Sequence, residues 1–430
     1  ARLLPFPTVT MNDVRVGEDE SGQALVSVER FSMETELAPF LSGEALIYNM
    51  HVEHPRLRLR LTGDGTLDWV KTGKPQIPAS SVVLENVTIS NGEISFIDEQ
   101  TGRDRQFTDL DVKLSAKTLA GPWKIAGTGK VDDQAGSFVV NTSVPENDSL
   151  FMKLRLMPDK PGIVAELEGA IGLKDQRPQY AGSFRIRERQ GDTASGQDGE
   201  ASPTSAPRIS GEFELGNDRI RVGKYEFQMG NPSDPYIVTG EGTIDAGRQP
   251  QFLLTAVGQQ IDMSRFGTST EGAADTATAV PVRERLKALM TLLADIPIPQ
   301  MPGKADISLP ALLARDTVIR DVKLTMQPAA NGWQIDQAEA QLPGRTTLSA
   351  KGKLSVIGSQ SFEGEVLLAS NQPSGFAEWV TGTVPDTVRQ LKTAGFSANV
   401  SITPDLQRFE NLEIAFGAAS LNGRLEHQFG

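Results

Sequence analysis

In HPRLRLRLTGDG, residues 54–65, Arg56, Arg58 and Arg60 alternate with Leu57, Leu59 and Leu61. A row of guanidiniums can hold phosphates or an anionic partner, and Arg103 and Arg105 could add to it. On a strand, however, side chains alternate between faces, so this spacing makes one cationic face and one aliphatic face. The arginines are read as a solvated outer face.

The other groups capable of chemistry are sparse. His51, His54 and His427 are the 3 histidines. A spacing of three puts His51 and His54 on opposite faces of a strand, so they are not read as a metal pair. Asp132, Asp133 and Asp98, the last followed by Glu99, fall where turns are expected, and turn carboxylates are normally solvated. Gly127-Thr-Gly-Lys130 resembles part of a phosphate loop, but the first glycine of that pattern would have to stand at 124, which is Lys124, and no helix pattern follows. With 0 Cys, thiolate chemistry and disulfides are excluded. No catalytic residue, metal ligand or cofactor site is assigned, and the chain is read as a non-enzyme.

The elements that would position a site read as strands. Apolar residues recur with period two at Leu110, Val112, Leu114, at Leu150, Met152, Leu154, Leu156, at Val318, Val322, Leu324, Met326, and at Phe396, Val400, Ile402. Gly, Asn, Asp and Pro interrupt them every ~8–12 residues, which predicts roughly 20 strands joined mainly as antiparallel hairpins. Helical periodicity is confined to Arg283–Leu293, with short turns expected at 37–41, 375–380 and 386–392. Residues 189–207, RQGDTASGQDGEASPTSAP, carry no large apolar side chain and read as a disordered loop, and 268–279 are similar. The division expected is therefore 1–188, a loop at 189–207, and 208–430.

A faint repeat runs through Ile125-Ala-Gly-Thr-Gly-Lys-Val131, Val238-Thr-Gly-Glu-Gly-Thr-Ile244 and Leu348-Ser-Ala-Lys-Gly-Lys-Leu354, each followed by a return strand opening at Phe138, Phe252 and Phe362. A further copy opens at Leu421-Asn-Gly-Arg-Leu425, so the natural polypeptide is expected to continue.

The formal charge of -13 opposes nucleic-acid binding. No run approaches the ~20 apolar residues that cross a bilayer, and the first residues lack a secretory signal pattern. Aromatic residues make up only 6%, few for a sandwich core or for the aromatic platforms of a glycan-processing enzyme. Helices are too scarce to cover the apolar side of so many strands. The fold expected is all-β: an elongated, curved antiparallel sheet forming an open hydrophobic groove, with a few short helices. Its smooth aliphatic wall suits lipid acyl chains, because apolar burial is non-directional and scales with area. Parity assigns that lining to Leu57, Leu59, Leu61, Ile94, Phe96, Leu110, Val112, Leu114, Leu150, Met152, Leu154 and Leu156. The alternative is a structural or scaffolding module of the cell envelope that binds other proteins through its open strand edges.

An ordered series of short motifs adds to this. Leu4-Pro-Phe-Pro7, Met11-Asn-Asp-Val14-Arg-Val-Gly17, Val28-Glu-Arg-Phe-Ser-Met33, Leu37-Ala-Pro-Phe-Leu-Ser-Gly43, Val52-Glu-His-Pro-Arg-Leu57 and Asp64-Gly65 with Asp68-Trp69 resemble the start of AsmA family proteins. Val87-Thr-Ile-Ser-Asn-Gly-Glu-Ile-Ser-Phe-Ile-Asp98 and Leu119-Ala-Gly-Pro-Trp-Lys-Ile-Ala-Gly127 continue the pattern, and Leu342-Pro-Gly344 with Leu348–Gly352 looks like a later copy. Asp68 departs from the family's usual Asn. The resemblance implies a periplasmic protein held at the inner membrane by an upstream anchor that this sequence lacks. It also implies a β-groove related to bridge-like lipid transfer proteins, and a part in phospholipid movement and outer-membrane integrity, with envelope proteins as possible partners.

Overall fold

A computed structural model describes residues 8–428 apart from 19–21, 36–44, 64–66, 69–80, 100, 147–148, 175–176, 190–206, 217, 230–232, 248, 263–297, 315–316, 359 and 404. Strand accounts for 75% and helix for 4%, as expected of an all-β chain. The helix expected at Arg283–Leu293, the turn at 37–41 and most of the 189–207 loop lie outside the described residues. The chain divides into two compact units, Ala1–Phe227 with Ile244–Gln249, and Gln228–Thr243 with Pro250–Gly430.

In the first unit the ladder starts with β1 (Thr8–Glu18) and β2 (Ala24–Thr35), paired antiparallel. Two shorter strands, β3 (Ala45–Glu53) and β4 (Arg56–Leu61), then lie end to end in one lane between β2 and the long β6 (Val82–Asp98). The lane breaks at His54, whose φ of 52° is left-handed, followed by Pro55. Both strands run parallel to β6, and β5 (Leu67–Asp68) pairs antiparallel with β4. Parallel neighbours cannot be joined by a hairpin, so the chain between β4 and β6 is a crossover. From β6 onward the order is a plain antiparallel meander: β7 (Arg103–Ala116), β8 (Trp123–Val131), β9 (Gln134–Thr142), β10 (Ser149–Pro158), β11 (Ile163–Lys174), β12 (Arg177–Glu188) and β13 (Arg208–Leu215). β14 (Arg219–Met229) follows a tight turn in which the Gly216 N–H donates to Arg219 O.

The second unit repeats the plan. β15 (Tyr236–Asp245) lies beside β16 (Gln251–Gly258), with Gln259 N–H donating to Ile237 O. β16 and the short β17 (Ile261–Asp262) again pair parallel with one longer strand, β18 (Gly303–Ala314). An antiparallel meander follows through β19 (Thr317–Ala329), β20 (Gly332–Leu342), β21 (Thr346–Ser355), β22 (Ser361–Ser370), β23 (Ala394–Ile402), β24 (Leu406–Phe416) and β25 (Ala419–Gln428). Helices α1 (Pro373–Thr381) and α2 (Asp386–Arg389) sit in the β22–β23 connection, where turns were expected. The mainly antiparallel pairing expected is found, and the parallel pairings of β3 and β4 with β6 and of β16 and β17 with β18 make the sheet mixed. Periodicity tells which side of a strand is apolar and carries no information on the direction of its neighbour.

Local sequence explains the turns. Asp132 and Asp133, at φ 47° and 67°, form the two-residue loop between Val131 and Gln134; two successive positive φ values make the primed turn that matches strand twist, and Asp tolerates them. The Asp98 carboxylate accepts from Thr101 N–H and Oγ1, closing the β6–β7 turn. Gly127–Lys130 lie within β8 and make no phosphate loop.

Candidate functional site: an apolar sheet face

Residues directly opposite one another in a ladder project to the same side. In the first unit Leu57 stands beside Ile94 and Leu59 beside Phe96, while Leu61 stands beside Asp98. Val87 and Ile89 stand beside Leu114 and Val112, and these beside Ile125 and Gly127. Ile125 and Gly127 stand beside Val140 and Phe138, which face Leu154 and Leu156. Leu150, Met152, Leu154 and Leu156 in turn stand beside Ile171, Gly169, Leu167 and Ala165. All the residues assigned by parity to the groove wall therefore lie on one side of one ladder.

Two irregularities make that possible. Asn91 in β6 and Asp109 in β7, at φ 52° each, sit at register shifts between Ile89 and Gly92 and between Thr108 and Asp111. A bulge inserts one residue and exchanges the two faces beyond it. Hence Val87 and Ile89 share a side with Ile94 despite the odd spacing, and Phe107 shares one with Leu110; strict alternation missed these three. The same bulge corrects the placement of Arg103 and Arg105. They stand opposite Asp98 and Phe96, at the turn end of the apolar side, where Arg105 bonds Asp132 at 2.5 Å.

The opposite side carries the charge. Arg56 pairs with Glu93 at 3.3 Å, Arg58 donates to Gln23 and Arg60 to Glu99. His54 stands 3.9 Å from Glu29 and 3.8 Å from Glu93. Lys153 pairs directly across with Glu168 at 3.1 Å, and Glu166 is approached by Arg155, Arg185 and Arg187 at 3.6, 3.9 and 3.7 Å. A recess of about 660 Å³ on this side is walled by Lys153, Arg155, Glu166, Arg185, Glu212 and Lys224 among others. In the second unit a recess of about 500 Å³ includes Asp336, Lys351, Glu365 and Asn399. The first holds balanced charge, the second two carboxylates against one lysine, and neither lies on the apolar side.

How open the apolar side is varies along the ladder. Leu61, Val87, Val112 and Ala116 are buried, and Leu84, Val87 and Ala116 form a small core with Ile47, Met50, Val52 and Trp123. Across β8–β10 the cover thins: Ile125, Phe138, Val140, Met152 and Leu154 are half-buried, and Val131 and Leu156 are each 37% exposed. Within this unit no helix among the described residues lies over it.

The ladder creases toward this side. Gly169 and Gly182 face each other, and a Cβ added at either would lie 2.0 Å from the carbonyl oxygen of Ala181 or Glu168, respectively. The two backbones approach so closely only because neither residue carries a Cβ. Gly352 and Gly364 repeat the arrangement in the second unit, at 2.2 and 2.1 Å from Glu363 and Lys351 oxygens. That unit has its own apolar row, in which Trp333, Leu354, Phe362 and Ile402 stand side by side.

Among the described residues no group of three or more His, Cys, Asp or Glu side chains could hold a metal, and no helix is long and apolar enough to cross a membrane. No curated protein and no solved structure matches the chain. The model of the AsmA family matches residues 1–151, a stretch that contains the motif series from Leu4 to Gly127, so over that part the chain is similar to AsmA family proteins.

Proposed function

We propose that the chain is a periplasmic, non-enzymatic lipid carrier, in which phospholipid acyl chains lie against the apolar side while head groups stay in water, supporting phospholipid movement between the inner and outer membranes and outer-membrane integrity. In this reading an upstream anchor ties the full-length protein to the inner membrane. The observation that carries it is the register itself, which joins Leu57 to Leu167 into one apolar side, half-open at β8–β10 and creased inward at paired glycines. Similarity to AsmA family proteins over residues 1–151 is compatible with a role at the envelope. No chemistry is required of the carrier: transfer of apolar area from water is worth about 25 cal/mol per Å² and tolerates sliding, because it has no direction.

Native mass spectrometry of the gently extracted protein tests this. Adducts of phospholipid mass are expected, and their loss is expected in Met152→Asp, which sets a carboxylate on the half-open strip at a side chain that is itself only half-buried. A bare mass for the unchanged chain would move the reading to the envelope scaffold.

A further inference from the structure

The apolar side changes character at β11. Up to β10 its aromatic members, Phe96, Phe107, Trp123 and Phe138, are each only half-buried; beyond it stand Tyr180 and Phe184 on β12 and Phe213 on β13. Phe213 packs edge-on against Tyr180, with centroids 4.9 Å apart and planes at 77°, and Phe184 lies 6.4 Å from Phe213. Tyr180 and Phe213 are 5% and 7% exposed, against 37% for Leu156. The Tyr180 hydroxyl donates to Met152 O on β10 at 3.3 Å, so its side chain passes over the whole width of β11. That path is open because Gly169 on β11 and Gly182 on β12, in register with Met152 and Phe213, present no side chain to this side. Burial also raises the Tyr180 pKa, as expected of a phenol kept from water.

We infer that Tyr180, Phe213 and Phe184 form an aromatic bar across the apolar side. Hydrocarbon held on β8–β10 stops at β11 unless the rings turn away. This rests on the lipid reading and adds a boundary to it: one acyl-binding compartment ends where the protein fills its own groove. The Tyr180 hydrogen bond and the edge-to-face packing hold the rings in place.

The test places a photo-crosslinking p-benzoylphenylalanine at Leu154, before the bar, or at Phe227 on β14, two residues beyond the buried Tyr225 on the same side of the strand. Each full-length variant is incubated with vesicles of phosphatidylethanolamine and phosphatidylglycerol, irradiated and weighed. The bar predicts lipid adducts at Leu154 at least fivefold more abundant than at Phe227. It also predicts that Phe213→Ala, or the milder Phe213→Leu, raises the Phe227 yield several-fold while leaving Leu154 unchanged. Equal yields at both positions in the otherwise unaltered chain, or a Phe227 yield that neither substitution moves, overturn the bar and leave lipid binding standing. Absence of adducts at both positions overturns the lipid reading and the bar together.

Discussion

Adding one methyl group at Gly182 should cost the first unit far more than adding it at Gly223. Both glycines lie inside strands, β12 and β14, so propensity alone treats them alike. At Gly223 a Cβ meets nothing within 4 Å; at Gly182 it would stand 2.0 Å from Glu168 O and 2.5 Å from the Gly169 Cα. Real Cβ contacts essentially never fall below 3.0 Å, so the β11–β12 ladder would have to part by about 1 Å. The obstacle is backbone, which cannot rotate aside, and the cost belongs near the top of the overpacking range, about 3 kcal/mol. With m near 3 kcal/mol per M, that lowers the urea midpoint of the first unit by about 1 M. Gly223→Ala should instead be neutral or stabilise by about 0.4–1 kcal/mol, through the unfolded chain. Urea unfolding followed by circular dichroism decides it. Equal shifts for the two substitutions would refute the crease, and with it the inward curvature of the apolar side.

Val112→Asp, at a position 8% exposed and facing Ile89 and Gly127, should cost about 2–3 kcal/mol, whereas Met152→Asp, half-buried on the open strip, should cost about 1 kcal/mol or less; thermal melts of the two report how unevenly that side is covered. Glu365→Gln, which breaks the exposed Lys351–Glu365 pair, should change stability by under about 0.5 kcal/mol, and a larger loss in chemical denaturation would mean the charged side does more than stay solvated. Burial pushes the Tyr236 pKa up to about 12, above the value near 10 of an unfolded tyrosine, so the stability this residue contributes is intact below pH 10 and is lost as pH rises from 10 to 12. Tyr236→Phe should flatten the stability-versus-pH curve in that window, measured by denaturation between pH 9 and 12; an unchanged slope would count against it.

Strand content and the polarity of each strand's two sides were legible because period-two patterning is local: Leu110, Val112 and Leu114 declare their side with no knowledge of the partner. The neighbour's direction was not legible. Nothing in ALIYNMHVE or RLRLRL marks β3 and β4 as parallel to β6, because that depends on a crossover whose length and path lie elsewhere in the chain. Bulges were missed for a related reason. Asn91 and Asp109 each look like an ordinary turn-former, and only the Asn-Gly pair at 91–92, between the alternating runs Val87–Ile89 and Ile94–Phe96, hints that the parity changes there. The aromatic bar was hidden by composition. A total of 6% aromatic suggested an aliphatic wall throughout, while register gathers Tyr180, Phe184 and Phe213 from two strands well separated in sequence.

The distribution of charge and curvature bears on which side of the sheet does the work. A recess walled by Lys153, Arg155, Glu166 and Arg185 is the obvious concavity, yet its cations already stand beside carboxylates, and an anion entering there would have to displace them. Exposed pairs of this kind contribute little to stability, so their value lies in keeping that side wet and free of hydrocarbon. The crease glycines work from the other side. Gly169 and Gly182, then Gly352 and Gly364, draw neighbouring strands together on the apolar side, where any side chain would hold them apart. Placing the smallest residues in the apolar row removes hydrophobic area from a sheet that has few other means of burying it. That loss is reasonable only if the space opened above the glycines is used, as the rings of Tyr180 and Phe213 use it beside Gly169 and Gly182.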